Sequence, residues 1–180
     1  IHQNYTNERL VFELGGAEQN GHDYGWQFGN YQLRGAEAIN EELDPDEEPL
    51  PNPDYPPAMT PYAVFFGGTD PGRFVPTYMI YSAKVRPDVF LITQNALADN
   101  TYMNTMRDLY GDQIWMPMPK DNGAAFQQYV QEVEAGQRPN YGDIVLEGGR
   151  VQVTGAHGVM EINGILTEQI FRKNRDRHDF

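Results

Sequence analysis

The 180-residue sequence predicts an α/β domain, a Rossmann-like three-layer sandwich with a mostly parallel sheet and a small added β-hairpin. Two short apolar runs, residues 62–66 and 89–93, are each followed by a pattern typical of a helix, and a third run follows at 114–116. Strands and helices that alternate with short connections indicate a parallel sheet with right-handed crossovers. Residues 143–153 alternate around Gly148-Gly149, which predicts the hairpin.

Composition excludes several classes of protein. The chain has 13 Lys and Arg against 26 Asp and Glu, which is a formal net charge of -13. This excess of acid argues against a nucleic-acid partner, because such binding needs cations that displace counterions from phosphates. The lack of cysteine excludes disulfides, thiolate nucleophiles and cysteine-type zinc sites. No apolar run is long enough to cross a bilayer, so this part of the chain is not expected to span a membrane.

The chain is predicted to form one domain over residues 1–180 with three parts, an N-terminal helical region (1–44), a proline-rich acidic loop (45–61) and an α/β core (62–180) that ends in a helix. In the first part, three aromatic residues at helical spacing predict a helix that buries an aromatic stripe: Tyr24, Phe28 and Tyr31. In the second part, the prolines lack the amide N–H groups that a helix or a central strand needs. The acidic residues there are interpreted as a solvated face.

Two helices are predicted to connect the strands of the core. The first has Pro76 in its first turn and ends at Arg86-Pro87, because the residue before a proline disfavours helical geometry. The second has Asp99 or Asn100 as its N-cap and ends at Gly111.

Two further helices are predicted in the last third of the chain. The first is amphipathic, follows Asp121-Asn122, ends at Gly136 and has four apolar positions at helical spacing: Phe126, Tyr129, Val130 and Val133. The second covers about residues 158–174 and has an apolar side made of four residues: Val159, Ile162, Leu166 and Ile170.

A candidate site is expected at one edge of the sheet. Ligands of an open parallel sheet bind beyond the carboxyl ends of its strands, where loops and helix N-termini meet. Eight residues after the first two strands are the candidates: Gly67, Gly68, Thr69, Asp70, Arg73, Gln94, Asn95 and Asp99. The carboxylate of Asp70 can bind a divalent cation or accept from a sugar hydroxyl, and Arg73 offers a planar donor for phosphate or carboxylate.

The same residues also have a purely structural interpretation. Asp70 stands before Pro71-Gly72, a sequence typical of a β-turn, and Arg73 can pair with it. Gln94 and Asn95 are equally consistent with capping the next helix.

The sequence lacks the common catalytic motifs. It contains neither of the usual nucleotide-binding glycine loops and no Gly-x-Ser-x-Gly nucleophile motif. Its four histidines show no metal-ligand spacing: His2, His22, His157 and His178.

Several motifs resemble one family of membrane proteins. Residues 65–78 read FFGGTDPGRFVPTY, residues 86–89 read RPDV, and residues 94–99 read QNALAD. Similar stretches close the chain, GVMEING at 158–164 and KNRDRHDF at 173–180. From about residue 5 onward the sequence resembles polytopic membrane proteins of the glycosyltransferase-C type. That family, long catalogued as a domain of unknown function, includes the transmembrane O-mannosyltransferase-like proteins.

The resemblance implies an extracytoplasmic, periplasmic-side domain that follows a multi-helix membrane region. Enzymes of this type move a sugar from a polyprenyl-phosphate donor to an acceptor hydroxyl, and their catalytic acid belongs to the membrane half. We therefore expect a piece of a longer protein, with no catalytic residue of its own and with the membrane half of the same polypeptide as its partner. The family's Gly-Asp-x-Asp motif is incomplete here, because Pro71-Gly72 follows Asp70, which weakens a two-carboxylate metal site.

The expected function is thus a non-catalytic module whose loop at 67–74 binds or positions a sugar, a phosphate or an acceptor segment. One alternative is an autonomous metal-dependent hydrolase that uses Asp70 and Asp99 to hold a divalent cation. The other is a scaffold in which the turn residues are only structural.

Overall fold

Helices and two small sheets form the structure. A computed structural model of the chain describes residues 24–35, 38, 57–68 and 71–180. The elements in chain order are α1 (Tyr24–Arg34), β1 (Val64–Gly67), α2 (Pro71–Thr77), a π-helical turn (Tyr78–Ser82), β2 (Phe90–Thr93), a 3-10 turn (Gln94–Ala96), α3 (Asn100–Tyr110), α4 (Pro119–Glu134), β3 (Ile144–Glu147), β4 (Arg150–Val153) and α5 (Ala156–Asn174). The predicted α/β class is confirmed.

The parallel sheet lies between two apolar clusters. β1 and β2 pair in parallel with Gly67 opposite Thr93. Phe90 and Ile92 belong to the larger cluster, together with residues of α3, α4 and α5. Leu91 belongs to the smaller cluster, together with residues of α1 and the π-helical turn. Both faces of β2 are therefore buried, as its continuous apolar run predicts.

The third predicted strand, residues 114–116, is not a strand. The backbone of Trp115 is paired with a side chain instead of with a neighbouring strand. Oδ1 of Asn174 accepts from the N–H of Trp115 at 2.7 Å, and Nδ2 of Asn174 donates to the carbonyl of Trp115 at 2.9 Å. The parallel sheet accordingly has two strands, and the antiparallel hairpin forms a separate sheet. A three-layer Rossmann-like sandwich is not confirmed.

Tyrosine hydroxyls occupy the outer edge of β2. The hydroxyl of Tyr110 donates to the carbonyl of Leu91 at 2.5 Å, and the N–H of Thr93 donates to the hydroxyl of Tyr102, also at 2.5 Å. These bonds pair the backbone groups that a third strand would have paired. The edge is thus closed by side chains of α3.

The C-terminal tail covers the outer edge of β1. The N–H of Val64 donates to the carbonyl of Asp179 at 2.8 Å. The ring of Phe180 stacks on Phe66, with 5.5 Å between the ring centroids. Each strand therefore has at least one outer backbone group paired by a segment outside the sheet, the C-terminal tail for β1 and α3 for β2.

The helix predicted at Tyr24 is confirmed as α1, but its predicted aromatic stripe is wrong. Phe28 is 39% exposed and Tyr31 is half-buried, whereas the side chain of Tyr24 lies outside the described residues. The buried contact uses Gly29 instead. A Cβ there would lie 2.0 Å from Sδ of Met79. α1 can therefore pack this closely against the π-helical turn because residue 29 has no side chain.

The helix after β1 differs from its prediction at both ends. It begins at Pro71, and Pro76 lies near its end rather than in its first turn. The helical segment ends at Ser82, before Arg86-Pro87. Proline has no N–H to donate, which is consistent with the change to π-helical geometry just after Pro76.

The last two helices are confirmed, with shifts at their starts. α4 begins at Pro119, so Asp121-Asn122 lies in its first turn rather than before it. α5 buries Ile162, Leu166 and Ile170 as predicted, whereas Val159 is 37% exposed.

The hairpin is confirmed, since Gly148 and Gly149 both adopt positive φ (59° and 76°), as a two-residue turn between antiparallel strands requires. In the predicted proline-rich loop, residues 57–61 form neither helix nor strand. The predictions for residues 1–23 and 39–56, which include His2 and His22, lie outside the described residues.

Candidate functional site

The two loops of the predicted site meet at the carboxyl edge of the parallel sheet. Gly67, the last residue of β1, lies opposite Thr93, the last residue of β2. The loop after β1 leads into α2, and the loop after β2 leads into α3. The expectation that the parallel strands bring both loops to one edge is confirmed for the residues that the structure describes.

Gly67 allows the chain to turn closely from β1 into α2. A Cβ at Gly67 would lie 2.5 Å from the carbonyl oxygen of Gly72 and 3.1 Å from Cδ1 of Leu91. Gly68 is exposed, and a Cβ there would meet no atom within 4 Å. Of these glycines, Gly67 is the one that the backbone packing requires.

Arg73 projects from α2 toward the same edge. It is exposed, and its guanidinium carbon lies 5.2 Å from the centroid of the Phe74 ring. Burial raises the pKa of the Tyr102 phenol, although the hydrogen bond with Thr93 and the positive charge of Arg73 oppose the rise. The positive charge of Arg73 therefore interacts with the hydroxyl of Tyr102 at the edge of β2.

Two of the predicted site residues, Thr69 and Asp70, lie outside the described residues. Within the described ranges, no three side chains of the His, Cys, Asp or Glu kinds are grouped so that they could hold a metal ion. Asp99, the second carboxylate of the predicted cation site, has a role in the fold. Its Oδ1 accepts from the N–H groups of Thr101 and Tyr102 at 2.7 and 3.0 Å.

Asp99 is thus the N-cap of α3, as the sequence predicts, and α3 ends at Gly111 with a φ of 52°. Gln94 and Asn95 form the 3-10 turn that precedes this cap, and Asn95 is exposed. The alternative in which Gln94 or Asn95 caps the helix is wrong, because the cap is Asp99.

A residue that the sequence did not indicate holds the loop after β2. Asn163 of α5 is 2% exposed, its Oδ1 accepts from the N–H of Ala98 at 2.7 Å, and its Nδ2 donates to the carbonyl of Asn95 at 3.1 Å. The available signal was an asparagine next to Ile162 on the apolar side of a helix. A polar side chain at such a position normally has a specific hydrogen-bond partner.

A cavity of about 450 Å³ lies beside the same loop. It is lined by residues of the loop and of α3, α4, β4 and α5: Ala98, Asn100, Pro119, Asn122, Gly123, Phe126, Val153, Val159, Ile162 and Leu166. Its size is that of a small-molecule pocket, and its lining combines apolar side chains with two amides. Sequence reasoning did not find it, because its walls come from segments that are distant along the chain.

No family model, curated protein or solved structure matches the chain. Among the helices of the described residues, none has the length and apolar character needed to cross a membrane.

Proposed function

We propose that the chain is a non-catalytic binding module of a membrane glycosyltransferase and that it holds a sugar or a sugar phosphate at the carboxyl edge of β1 and β2. The observation that carries this proposal is the cavity beside the loop after β2, which has Ala98 of that loop and Asn100 of α3 in its lining. Loops at this edge of a parallel sheet are where α/β domains bind small molecules.

The edge is held in place before any ligand binds. Asn163 fixes the loop after β2, Asp99 caps α3, and Gly67 brings α2 close to the strand. A binding site gains affinity when its walls are already ordered, because less conformational entropy is lost on binding. These contacts support a site rather than an unspecialised surface.

The resemblance of residues 65–78 and 94–99 to the glycosyltransferase-C family supplies the biological setting of the proposal. In that setting the membrane half of the same polypeptide performs the transfer on the extracytoplasmic face. The module is its partner and presents the sugar-bearing ligand to it.

Thermal unfolding of the chain in the presence of candidate ligands tests the proposal. The panel contains methyl glycosides, sugar 1-phosphates, inorganic phosphate and Mg²⁺. A ligand at roughly 100 times its dissociation constant adds about 2.7 kcal/mol to the free energy of unfolding, which is a shift of roughly 5–10 °C for a domain of this size. We expect such a shift from a sugar or a sugar phosphate.

Variants connect the shift to the edge of the sheet. Arg73→Gln and Asp70→Asn should reduce the shift, and Arg150→Gln, in the hairpin, should leave it unchanged. If no sugar and no sugar phosphate shifts the unfolding midpoint, the proposed function is wrong. A shift caused by Mg²⁺ alone, and lost in Asp70→Asn and in Asp99→Asn, would favour the metal-dependent hydrolase instead.

A further inference from the structure

The β3–β4 hairpin is a two-stranded sheet with open edges. The N–H of Thr154 donates to the carbonyl of Asp143 at 2.8 Å, and the antiparallel register of β3 and β4 continues from that pair. Residue pairs that exchange backbone hydrogen bonds alternate in such a ladder with pairs that do not. Four residues therefore direct their N–H and C=O groups away from the hairpin: Ile144 and Leu146 on β3, and Val151 and Val153 on β4. In the described part of the chain, no further strand or backbone group pairs with them.

The parallel sheet differs from the hairpin in this respect. Segments outside that sheet hydrogen-bond to backbone groups on both of its edges, at Val64 of β1 and at Leu91 and Thr93 of β2. An open strand edge favours pairing with another chain, and folded proteins commonly cover such edges or place charges on them. The hairpin is therefore the sheet of this structure to which a further strand can be added.

The hairpin also exposes apolar side chains. Leu146 is 74% exposed and Val151 is 43% exposed. They share one face of the hairpin with Ile144 and Val153, which pack against the larger apolar cluster. That face is thus covered at one end of the hairpin and open at the other. Because two strands alone form a sheet of marginal stability, added strands would stabilise it.

Charge distinguishes the two edges of the hairpin. The formal net charge of -13 opposes contact between two copies wherever their acids meet. If β3 paired with β3 of a second copy so that all outward groups were used, Asp143 would lie opposite Glu147 of that copy. Like charges in directly opposite positions destabilise a sheet. The β4 side has no such conflict, because the chain has no Asp or Glu from residue 148 to residue 160 and Arg150 lies on β4.

We propose that two copies of the chain pair through their β4 strands, antiparallel and about a two-fold axis, to form one four-stranded sheet. An antiparallel edge is complementary to its own copy, which a two-fold dimer requires. When Val151 lies opposite Val153 of the second copy, every outward N–H and C=O group of both β4 strands has a partner. This inference does not depend on the proposed function.

The side chains fit the same register. Gln152 lies opposite Gln152 of the second copy at the two-fold axis, where two amides can each donate and accept. On the other face, each row across the new sheet has four aliphatic side chains: Leu146 and Val151 of one copy, then Val153 and Ile144 of the other. The exposed valine and leucine thereby gain apolar neighbours.

Sedimentation velocity of the whole chain tests the inference. Measurements from roughly 10 µM to 1 mM, in a buffer of about 0.15 M salt that screens the net charge, show whether the chain associates. We expect a reversible dimer with a dissociation constant of roughly 10–500 µM, because one strand edge makes a small interface. A chain that stays monomeric up to about 1 mM overturns the inference, whether or not the edge binds an extended peptide. Assembly that continues beyond the dimer overturns it as well, since a two-fold contact closes.

Two proline variants identify the edge. Val151→Pro removes an outward N–H of β4 and no hydrogen bond of the hairpin itself, so it should raise the dissociation constant by roughly 5–100-fold. Leu146→Pro makes the matched change on the outer edge of β3 and should leave the dimer intact. A dimer that survives Val151→Pro, or one that is lost in Leu146→Pro, contradicts pairing through β4.

Charges at residue 152 test the two-fold register without altering the backbone. Gln152 is exposed, so Gln152→Glu and Gln152→Lys should leave the unfolding midpoint of the monomer unchanged. Each variant alone should dimerise more weakly than the parent chain, by roughly 2–5-fold, because like charges meet at the axis. An equal mixture of the two should form a heterodimer that is tighter than either homodimer by roughly 2–10-fold. If the mixture gives no such gain, residue 152 does not lie at the axis and the inference is wrong.

Discussion

The side-chain oxygen of Asn163 accepts a 2.7 Å hydrogen bond from the backbone N–H of Ala98, which joins α5 to the loop after β2. The same side chain donates to the carbonyl of Asn95 at 3.1 Å. One buried amide therefore holds both ends of the segment that leads to the N-cap of α3. The shape of the candidate site depends on a helix that lies far along the chain.

Replacement of the Asn163 side chain should lower the free energy of unfolding. In Asn163→Leu, the N–H of Ala98 and the carbonyl of Asn95 lose their partner, and each unpaired buried group costs about 1–3 kcal/mol. We expect the free energy of unfolding, measured with urea, to fall by about 2–4 kcal/mol. Gln131→Leu, at an exposed position of α4, is the control and should change it by less than about 0.5 kcal/mol. A loss no larger than that of the control would contradict the structural role of Asn163.

Alanine substitutions at the neighbouring residues Gly67 and Gly68 should have very different effects on stability. In Gly67→Ala the new Cβ would lie 2.5 Å from the carbonyl oxygen of Gly72, so β1 and α2 must move apart. We expect a loss of about 1–3 kcal/mol in the free energy of unfolding. Gly68→Ala places its Cβ in open space and should change the stability by less than about 0.5 kcal/mol. Chemical denaturation of both variants checks this, and equal losses would show that the turn is not limited by this contact.

Stability should fall in alkali because of a buried tyrosine. The hydroxyl of Tyr129 donates to Oδ1 and Oδ2 of Asp143 at 3.1 and 3.2 Å. Burial, followed by this hydrogen bond and the charge of Asp143, raises the pKa of Tyr129 from 10.0 to about 12. The folded state thus holds the phenol proton more tightly than the unfolded state. The contribution is complete below pH 10.0 and is lost as the pH rises toward about 12.

Urea unfolding at several values of pH from about 8 to 11 measures this loss. Tyr129→Phe should be less stable at neutral pH by about 1–3 kcal/mol, because Asp143 loses its donor. Its free energy of unfolding should also fall less steeply with rising pH, between about 8 and 11, than that of the parent chain. The remaining slope belongs to Tyr81, Tyr102 and Tyr110, whose pKa values burial also raises. An unchanged slope in Tyr129→Phe would exclude Tyr129 as its source.

Arg86 should support stability near neutrality and in weak acid. Its guanidinium donates to both carboxylate oxygens of Asp88 at 3.0 and 2.8 Å, and to the carbonyls of Leu33, Met59 and Thr60. The hydrogen bonds from Arg86 hold the pKa of Asp88 below its ordinary value of 3.8. The folded state therefore favours the carboxylate. That contribution is present above pH 3.8 and is lost as the pH falls through the lowered folded-state pKa.

Arg86→Gln should lower the free energy of unfolding at pH about 7 by about 2–4 kcal/mol, since charge-assisted hydrogen bonds to several segments are lost. It should also reduce the acid dependence of stability between pH about 5 and 2. Arg172→Gln breaks an exposed pair with Glu168 and is the matched control, with an expected change below about 1 kcal/mol. If both variants behave alike, Arg86 does not join these segments in solution.

Much of the fold follows from signals that are local in the chain. Asp99 and Gly111 mark the ends of α3, and Gly148-Gly149 marks the turn of the hairpin. The two apolar runs mark the strands of the parallel sheet. These signals are readable because a cap, a tight turn or a buried strand depends on residues within a few positions of one another.

Distant contacts decided where those signals fail. The apolar run at 114–116 has the composition of a strand, but Asn174 takes up the backbone groups of Trp115. Likewise, the spacing of aromatic residues in α1 predicts a buried stripe, whereas the helix packs through Gly29 against Met79. A pattern shows that a face is apolar, but it does not show which neighbour will cover it.

The candidate site divides in the same way. The sequence by itself determined that two loops would meet at the carboxyl edge of the sheet, because parallel strands joined by short connections allow little else. Only the tertiary structure decided that, among the residues it describes, the amide of Asn163 has hydrogen-bond partners and the amide of Asn122 has none. Both are asparagines within helices, and the difference between them arises from the backbone groups that folding brings within hydrogen-bonding distance of each amide.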